Sequence, residues 1–171
     1  INIVEKLMEE GKINKNTYVV CNGFKRDEYV TNIARLMNNG HNKTIPVIDN
    51  YEELDLLQEQ IKGKFKIGIR IAAEEEPKFE FYTSRLGIGY KDIVPFYRKQ
   101  IQENKQVELK MLHFFINTGI RDTAYYWNEL LKCMKVYIAL KRECPTLDSL
   151  NIGGGFPIKN SLAFEYDYQY M

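Results

Sequence analysis

Cysteine is scarce in this chain. Cys21, Cys133 and Cys144 are the whole complement, and no two stand in a CxxC spacing. An odd, scattered set excludes a disulfide framework and a zinc site of paired cysteines, and it fits a reducing compartment such as the cytoplasm. Long apolar runs are also lacking. Met111-Leu112 and Phe114-Phe115-Ile116 are split by His113, far short of the roughly 20 residues that a membrane span requires. The opening Ile-Asn-Ile-Val-Glu-Lys has no apolar core of the kind a signal peptide carries. Neither sign of charge is in excess: 24 basic residues face 23 acidic ones, for a net charge of +1. No global field therefore draws the chain to nucleic acid or to an anionic membrane, and a small-molecule role stays open. Repeats and low-complexity tracts are missing too. What remains is 171 residues, 44% hydrophobic and 13% aromatic, enough to bury one sizeable core in one domain.

Short β-branched or apolar runs alternate with segments of helical period, which predicts an α/β protein. The runs are Tyr18-Val19-Val20-Cys21, Thr44-Ile45-Pro46-Val47-Ile48, Lys66 to Ile71, Leu109 to Phe115 and Ser149 to Ile152, so five strands are expected. Ile3, Val4, Leu7 and Met8 lie at helical spacing. A second helix carries Tyr29, Val30, Ile33, Ala34 and Met37 and ends at Asn38-Asn39-Gly40, which suits a left-handed cap. A third follows Asn50 and Glu53, spaced as a capping box, with Leu54, Leu57 and Ile61 on one face before Gly63. The longest helix starts at Asp122 or Thr123 and stops at Cys144-Pro145, and Ala124, Trp127, Leu131, Met134 and Ile138 are expected to form its buried face. Residues 72–90 read as a long loop after a strand end, where α/β proteins place functional groups. With no strand pair joined by a tight turn, the sheet is expected to be parallel, either closed or doubly wound.

The sharpest local signal is Leu150-Asn151-Ile152-Gly153-Gly154-Gly155-Phe156-Pro157. A strand ending in three glycines exposes backbone amides that could cradle a phosphate, although a flexible turn has the same composition. Ile158 stands where a third spaced glycine would complete a GxGxxG pattern, so a dinucleotide site is not expected.

The glycine run resembles the phosphate loop of the alanine-racemase-like, fold type III pyridoxal enzymes. Three other segments extend the resemblance, in order, to the biosynthetic arginine decarboxylases. Cys21-Asn22-Gly23-Phe24-Lys25 looks like their Cys-Asn-Gly segment, Ser84-Arg85-Leu86-Gly87 like their Ser-Lys-Phe-Gly segment, and Leu112 to Ile120 like their strand ending in His-Phe-His-Leu-Gly-Ser. The resemblance implies an α/β fold, a partial (β/α)8 TIM-type barrel containing roughly strands three to seven, all parallel. Residues 1–171 would be an internal fragment of that domain, without the N-terminal barrel strands and the C-terminal β-domain. It implies pyridoxal 5'-phosphate as cofactor; magnesium also occurs in the family, but no site for it is readable here. Gly153, Gly154 and Gly155 would hold the phosphate through their amides, Thr118 would stand in for a phosphate-binding serine, and Phe115 would cover the ring in place of a histidine. Arg70 would lie beside the ring, its alternative being a rim arginine in a surface ion pair. Arg85 matches a family lysine near the dimer interface.

Two departures follow. Phe115 keeps a flat aromatic face but has no imidazole to move protons, while His113 is expected to pack in or behind the barrel wall. The family's Schiff-base lysine and the carboxylate facing the pyridine nitrogen belong to strands outside this sequence, and Lys110, inside a strand, reads as outward-facing. The isolated fragment is therefore expected to be inactive. The resemblance implies an arginine-decarboxylating parent in polyamine biosynthesis, a homo-oligomer of at least two subunits, with no nucleic acid or membrane partner. A diaminopimelate or carboxynorspermidine decarboxylase, or a non-catalytic phosphate-ligand or interaction domain, is the alternative.

Overall fold

The computed structural model describes residues 1–72, 86–116 and 123–154. Its elements in chain order are α1 (Asn2–Glu9), β1 (Val19–Cys21), α2 (Asp27–Asn38), β2 (Thr44–Ile48), α3 (Glu52–Gln60), β3 (Phe65–Ala72), β4 (Ile88–Gly89), α4 (Ile93–Phe96), β5 (Val107–Phe114), α5 (Thr123–Lys141) and β6 (Ser149–Asn151). A wide π turn, Tyr97–Ile101, continues α4. All five strands expected from the sequence form, and β2 has the expected bounds. The sheet is parallel throughout and runs β1-β2-β3-β5-β6.

That order never reverses, so successive crossovers lie on one side of the sheet and there is no switch point between two halves. The side chains divide accordingly. Ile48, Ile67, Ile69, Leu109 and Leu112 join Val30, Ile33, Leu54, Leu57 and Leu130 in one core between sheet and helices. Ile45, Val47 and Met111 form a separate cluster on the opposite face. A twisted parallel sheet with helices on one face and its own side chains on the other curls into a half-barrel. Each fully buried Leu or Ile contributes about 1.5–3 kcal/mol toward holding the two layers together. β1 and β6 are the two outer strands of this sheet, and among the described residues no strand pairs with their outer edges.

Three expectations need correction. The buried face of α5 is Tyr126, Leu130, Cys133, Val136 and Leu140. Trp127, Leu131, Met134 and Ile138 face outward with 39%, 53%, 41% and 50% of their surface exposed, and Ala124 is exposed as well. The helix carries two apolar stripes of the same period, and packing chooses between them. Tyr126 meets Phe114 with ring centroids 5.9 Å apart, and Cys144 and Leu147 are buried beyond its far end, which fixes its rotation. Lys110 is buried rather than outward-facing, with Nζ 2.7 Å from both Asp148 carboxylate oxygens. The cause is a β-bulge: Ile67 pairs with Leu109 but Gly68 with Met111, so Lys110 is the extra residue. Its Nζ lies 5.7 Å from the ring centroid of Tyr18, which precedes β1, a contact made across the concave face. Finally, the expected 72–90 loop is partly ordered strand, because Ile88–Gly89 pairs with Ile71–Ala72. Gly87 makes that approach feasible. Its φ is +100°, and a Cβ there would lie 2.8 Å from Ala72 N and 3.1 Å from Arg70 O.

Candidate functional site

Register places four polar residues side by side on the concave face. Ile48 pairs with Ile69, so Asp49 follows at the level of Arg70; Arg70 pairs with His113, and His113 with Asn151. In-register neighbours of a parallel sheet point to the same side. Asp49, Arg70 and His113 are all buried, at the C-terminal ends of their strands, where barrels of this type build sites. His113 therefore lines the concave face beside Arg70 rather than packing behind the wall. Burial first, and then the neighbouring Arg70 charge, hold its imidazole below the ordinary histidine range, so it is neutral at neutral pH. Its Nδ1 is buried without a hydrogen-bond partner among the described residues.

Arg70 is an interior residue, not a rim arginine. Its Nη1 lies 3.6 Å from Asp49 Oδ1, an ion pair whose side chains are 10% and 1% exposed. Its guanidinium carbon stands 5.3 Å from the centroid of the Phe115 ring, within cation–π range. Phe115 follows β5 directly and is half-buried.

Gly153 follows β6 and packs on this ring. Its φ is +73°, and a Cβ built there would lie 2.6 Å from Phe114 O and 3.3 Å from Phe115 Cα and Cδ2. Only glycine combines that conformation with that closeness. The Gly153 amide donates to Asn151 Oδ1 at 2.9 Å, so it builds the turn and is not free for an anion. Gly154 has open space, with nothing within 4 Å of an added Cβ. Thr118 and Gly155, the other expected phosphate contacts, and Arg85 lie outside the described residues. Among the described residues no cluster of His, Cys, Asp or Glu could hold a metal ion, and no helix is long and apolar enough to cross a membrane.

A buried support that sequence reading missed lies beneath the site. Lys25, in the Cys-Asn-Gly segment, is 1% exposed. Its Nζ donates to Gly23 O at 2.8 Å, to Glu53 Oε2 at 3.1 Å and to Val47 O. Glu53 Oε1 accepts from Lys25 N at 2.8 Å, and Oε2 accepts from Asp49 N at 2.9 Å. Glu53 N donates to Asn50 Oδ1 at 3.0 Å, the half of the capping box that the sequence showed. The other half reaches Asp49 instead. A lysine followed by the charged run Arg26-Asp27-Glu28 carries no local signal of burial; only the tertiary structure brings Glu53 to it.

The concave face of this one-sided parallel half-barrel thus carries an aromatic ring, an interior arginine and a glycine turn at its strand ends. The chain belongs to the pyridoxal-dependent decarboxylase family, whose pyridoxal-binding domain matches residues 8–167. It is 27% identical over 160 residues to biosynthetic arginine decarboxylase 2 of Synechocystis, covering 87% of this chain and 23% of that protein. In fold it is similar to the lysine decarboxylase of Selenomonas ruminantium, with TM-score 0.69 and 19% identity over 90% of this chain and 38% of that one. It is likewise similar to the biosynthetic arginine decarboxylase of Campylobacter jejuni, with TM-score 0.65 and 22% identity over 96% of this chain and 28% of that one. The chain thus spans about a quarter of the length of the curated relatives that it matches.

Proposed function

We propose that this chain supplies the ring-covering and phosphate-binding part of a pyridoxal 5'-phosphate site in a protein that decarboxylates L-arginine to agmatine, a step of polyamine biosynthesis. The observation that carries the reading is the contact of Gly153 with Phe115 beneath Arg70. The donor set suits a phosphorylated aromatic aldehyde: open space at Gly154 for an anion, a flat apolar ring beside it, and one interior cation. Bound pyridoxal phosphate would supply the electron sink for the pair released as CO2 departs.

The residues of this chain bind and orient. Gly154, with Gly155 and the Thr118 hydroxyl, would hold the phosphate, and Gly153 sets the turn that leads into Gly154. Phe115 covers one ring face and keeps water from it without exchanging a proton. Arg70 fixes the ring edge. The Schiff-base lysine and the carboxylate facing the pyridine nitrogen are supplied by other parts of the protein, which acts in the cytoplasm as a dimer or larger homo-oligomer. The names of the matched curated relatives support arginine over lysine, diaminopimelate or carboxynorspermidine.

The test is to incubate the protein, as expressed from its own gene, with pyridoxal phosphate and each of these amino acids in turn and to measure CO2 and amine release. Agmatine formation from arginine, with the cofactor fixed to a lysine by borohydride, supports the reading. Preferential turnover of another substrate refutes arginine. Failure to retain pyridoxal phosphate refutes the whole proposal.

A further inference from the structure

Asp49 has an unusual environment. It is 3% exposed, and among the described residues neither carboxylate oxygen accepts a hydrogen bond, although buried acceptors are almost always satisfied. Its nearest cation, Arg70 Nη1, is 3.6 Å away, an ion-pair distance longer than a hydrogen bond. The main chain of Asp49 is held from both sides. Its amide donates to Glu53 Oε2 at 2.9 Å, and its carbonyl accepts from Gly87 N at 3.1 Å. Glu53 is in turn neutralised by the fully buried Lys25. A carboxylate kept in the interior at this cost, on a backbone held from both sides, and paired with the arginine beside the Phe115 ring has a use other than stability.

We propose that Asp49 is a positioning residue for the cofactor site: it holds the Arg70 guanidinium over the Phe115 ring, so that arginine and ring together set the plane on which the pyridine ring rests. The inference builds on the pyridoxal phosphate reading above and adds a residue to it. Phenylalanine at 115 itself has no imidazole to fix the ring by hydrogen bonding, and the orientation falls to the Asp49–Arg70 pair. Lys25 and Glu53 act one step further back by fixing the Asp49 backbone.

The experiment measures binding of pyridoxine 5'-phosphate, which cannot condense with a lysine, by fluorescence, and the visible circular dichroism of bound pyridoxal 5'-phosphate. It compares the unaltered protein with Asp49→Asn, Arg70→Gln and the double variant. Asp49→Asn should weaken pyridoxine phosphate about tenfold, or about 1.4 kcal/mol, and reduce the visible dichroism per bound cofactor. A purely structural role would leave that signal unchanged. The double variant should bind like Arg70→Gln alone, because Asp49 acts through the arginine. Unchanged affinity and dichroism in Asp49→Asn, or an equal further loss when it is added to Arg70→Gln, overturns the proposal and leaves the pyridoxal reading standing. If Asp49→Asn alone does not fold, Arg70→Gln and the neutral double variant are compared: equal affinity supports the proposal, and a further tenfold loss overturns it. If the unaltered protein binds neither phosphate compound, the functional reading itself fails.

Discussion

Replacing Gly153 with alanine is the most exacting test of the site's geometry. The backbone there has φ +73°, and the new Cβ would lie 2.6 Å from Phe114 O and 3.3 Å from Phe115 Cα. A left-handed conformation costs an L-residue about 1–2 kcal/mol, and forcing a methyl group against main-chain atoms that cannot rotate away adds about 1–3 kcal/mol. The expected loss is therefore about 2–5 kcal/mol, measured by urea unfolding followed by far-ultraviolet circular dichroism. Gly154→Ala is the matched control, since its Cβ meets nothing within 4 Å and its φ is not positive. It should leave stability unchanged or raise it by up to about 1 kcal/mol, while blocking retention of pyridoxal phosphate by filling the space before the amides. A Gly153→Ala protein within about 0.5 kcal/mol of the unaltered one would refute the reasoning, because the turn would then not be wedged against Phe115.

Glu53→Gln should cost about 3–5 kcal/mol by stranding the buried Lys25 ammonium, read as a fall in unfolding free energy at neutral pH. On α5, Leu130→Ala should cost about 2–5 kcal/mol, whereas Leu131→Ala, on the exposed stripe, should stay within about 0.5 kcal/mol; a reversed ranking would mean that the helix is rotated. The Lys110–Asp148 pair makes stability depend on pH at both extremes. Hydrogen bonding to Lys110 holds the Asp148 carboxyl below its usual range, so its contribution is present above the unfolded carboxylate pKa and lost as pH falls through the depressed folded value. The same partner raises Lys110, so that contribution is complete below the unfolded lysine pKa and lost as pH rises through the raised one. Asp148 is half exposed, so the unfolding free-energy difference between Asp148→Asn and the unaltered protein should reach only about 1 kcal/mol on the plateau and vanish in acid.

The strand pattern was legible because fully buried parallel strands read as unbroken apolar runs, as in Thr44–Ile48, and because Gly40 and Gly63 mark helix ends. The rotation of α5 was not, since apolar residues at the same period occupy two of its faces and only contact with Phe114 and the residues beyond its end selects one. The two-residue β4 is too short to show a period, and the wide turn after α4 has no sequence signal at all. At the candidate site, resemblance brought Phe115, Arg70 and the glycine run together on paper, and Gly153, Phe115 and Arg70 are in contact. Asp49 was overlooked because an aspartate between a strand and Asn50 looks like loop or cap chemistry. Its burial depends on strands that are distant in sequence.

The extra residue at Lys110 also shifts the odd-even numbering of everything that follows it in β5. Below it, odd-numbered side chains meet the helices; above it, odd-numbered Met111, His113 and Phe115 look into the hollow. Because Ile67 pairs with Leu109 and Gly68 with Met111, deleting that single lysine would straighten the ladder while leaving Met111, His113 and Phe115 toward the hollow and Leu112 and Phe114 toward the helices, and it would remove the ties of Lys110 to Asp148 and Tyr18. The irregular residue thus adds a charged tie between β5, the Asp148 turn and Tyr18 without altering which side chains a ligand in the hollow would meet.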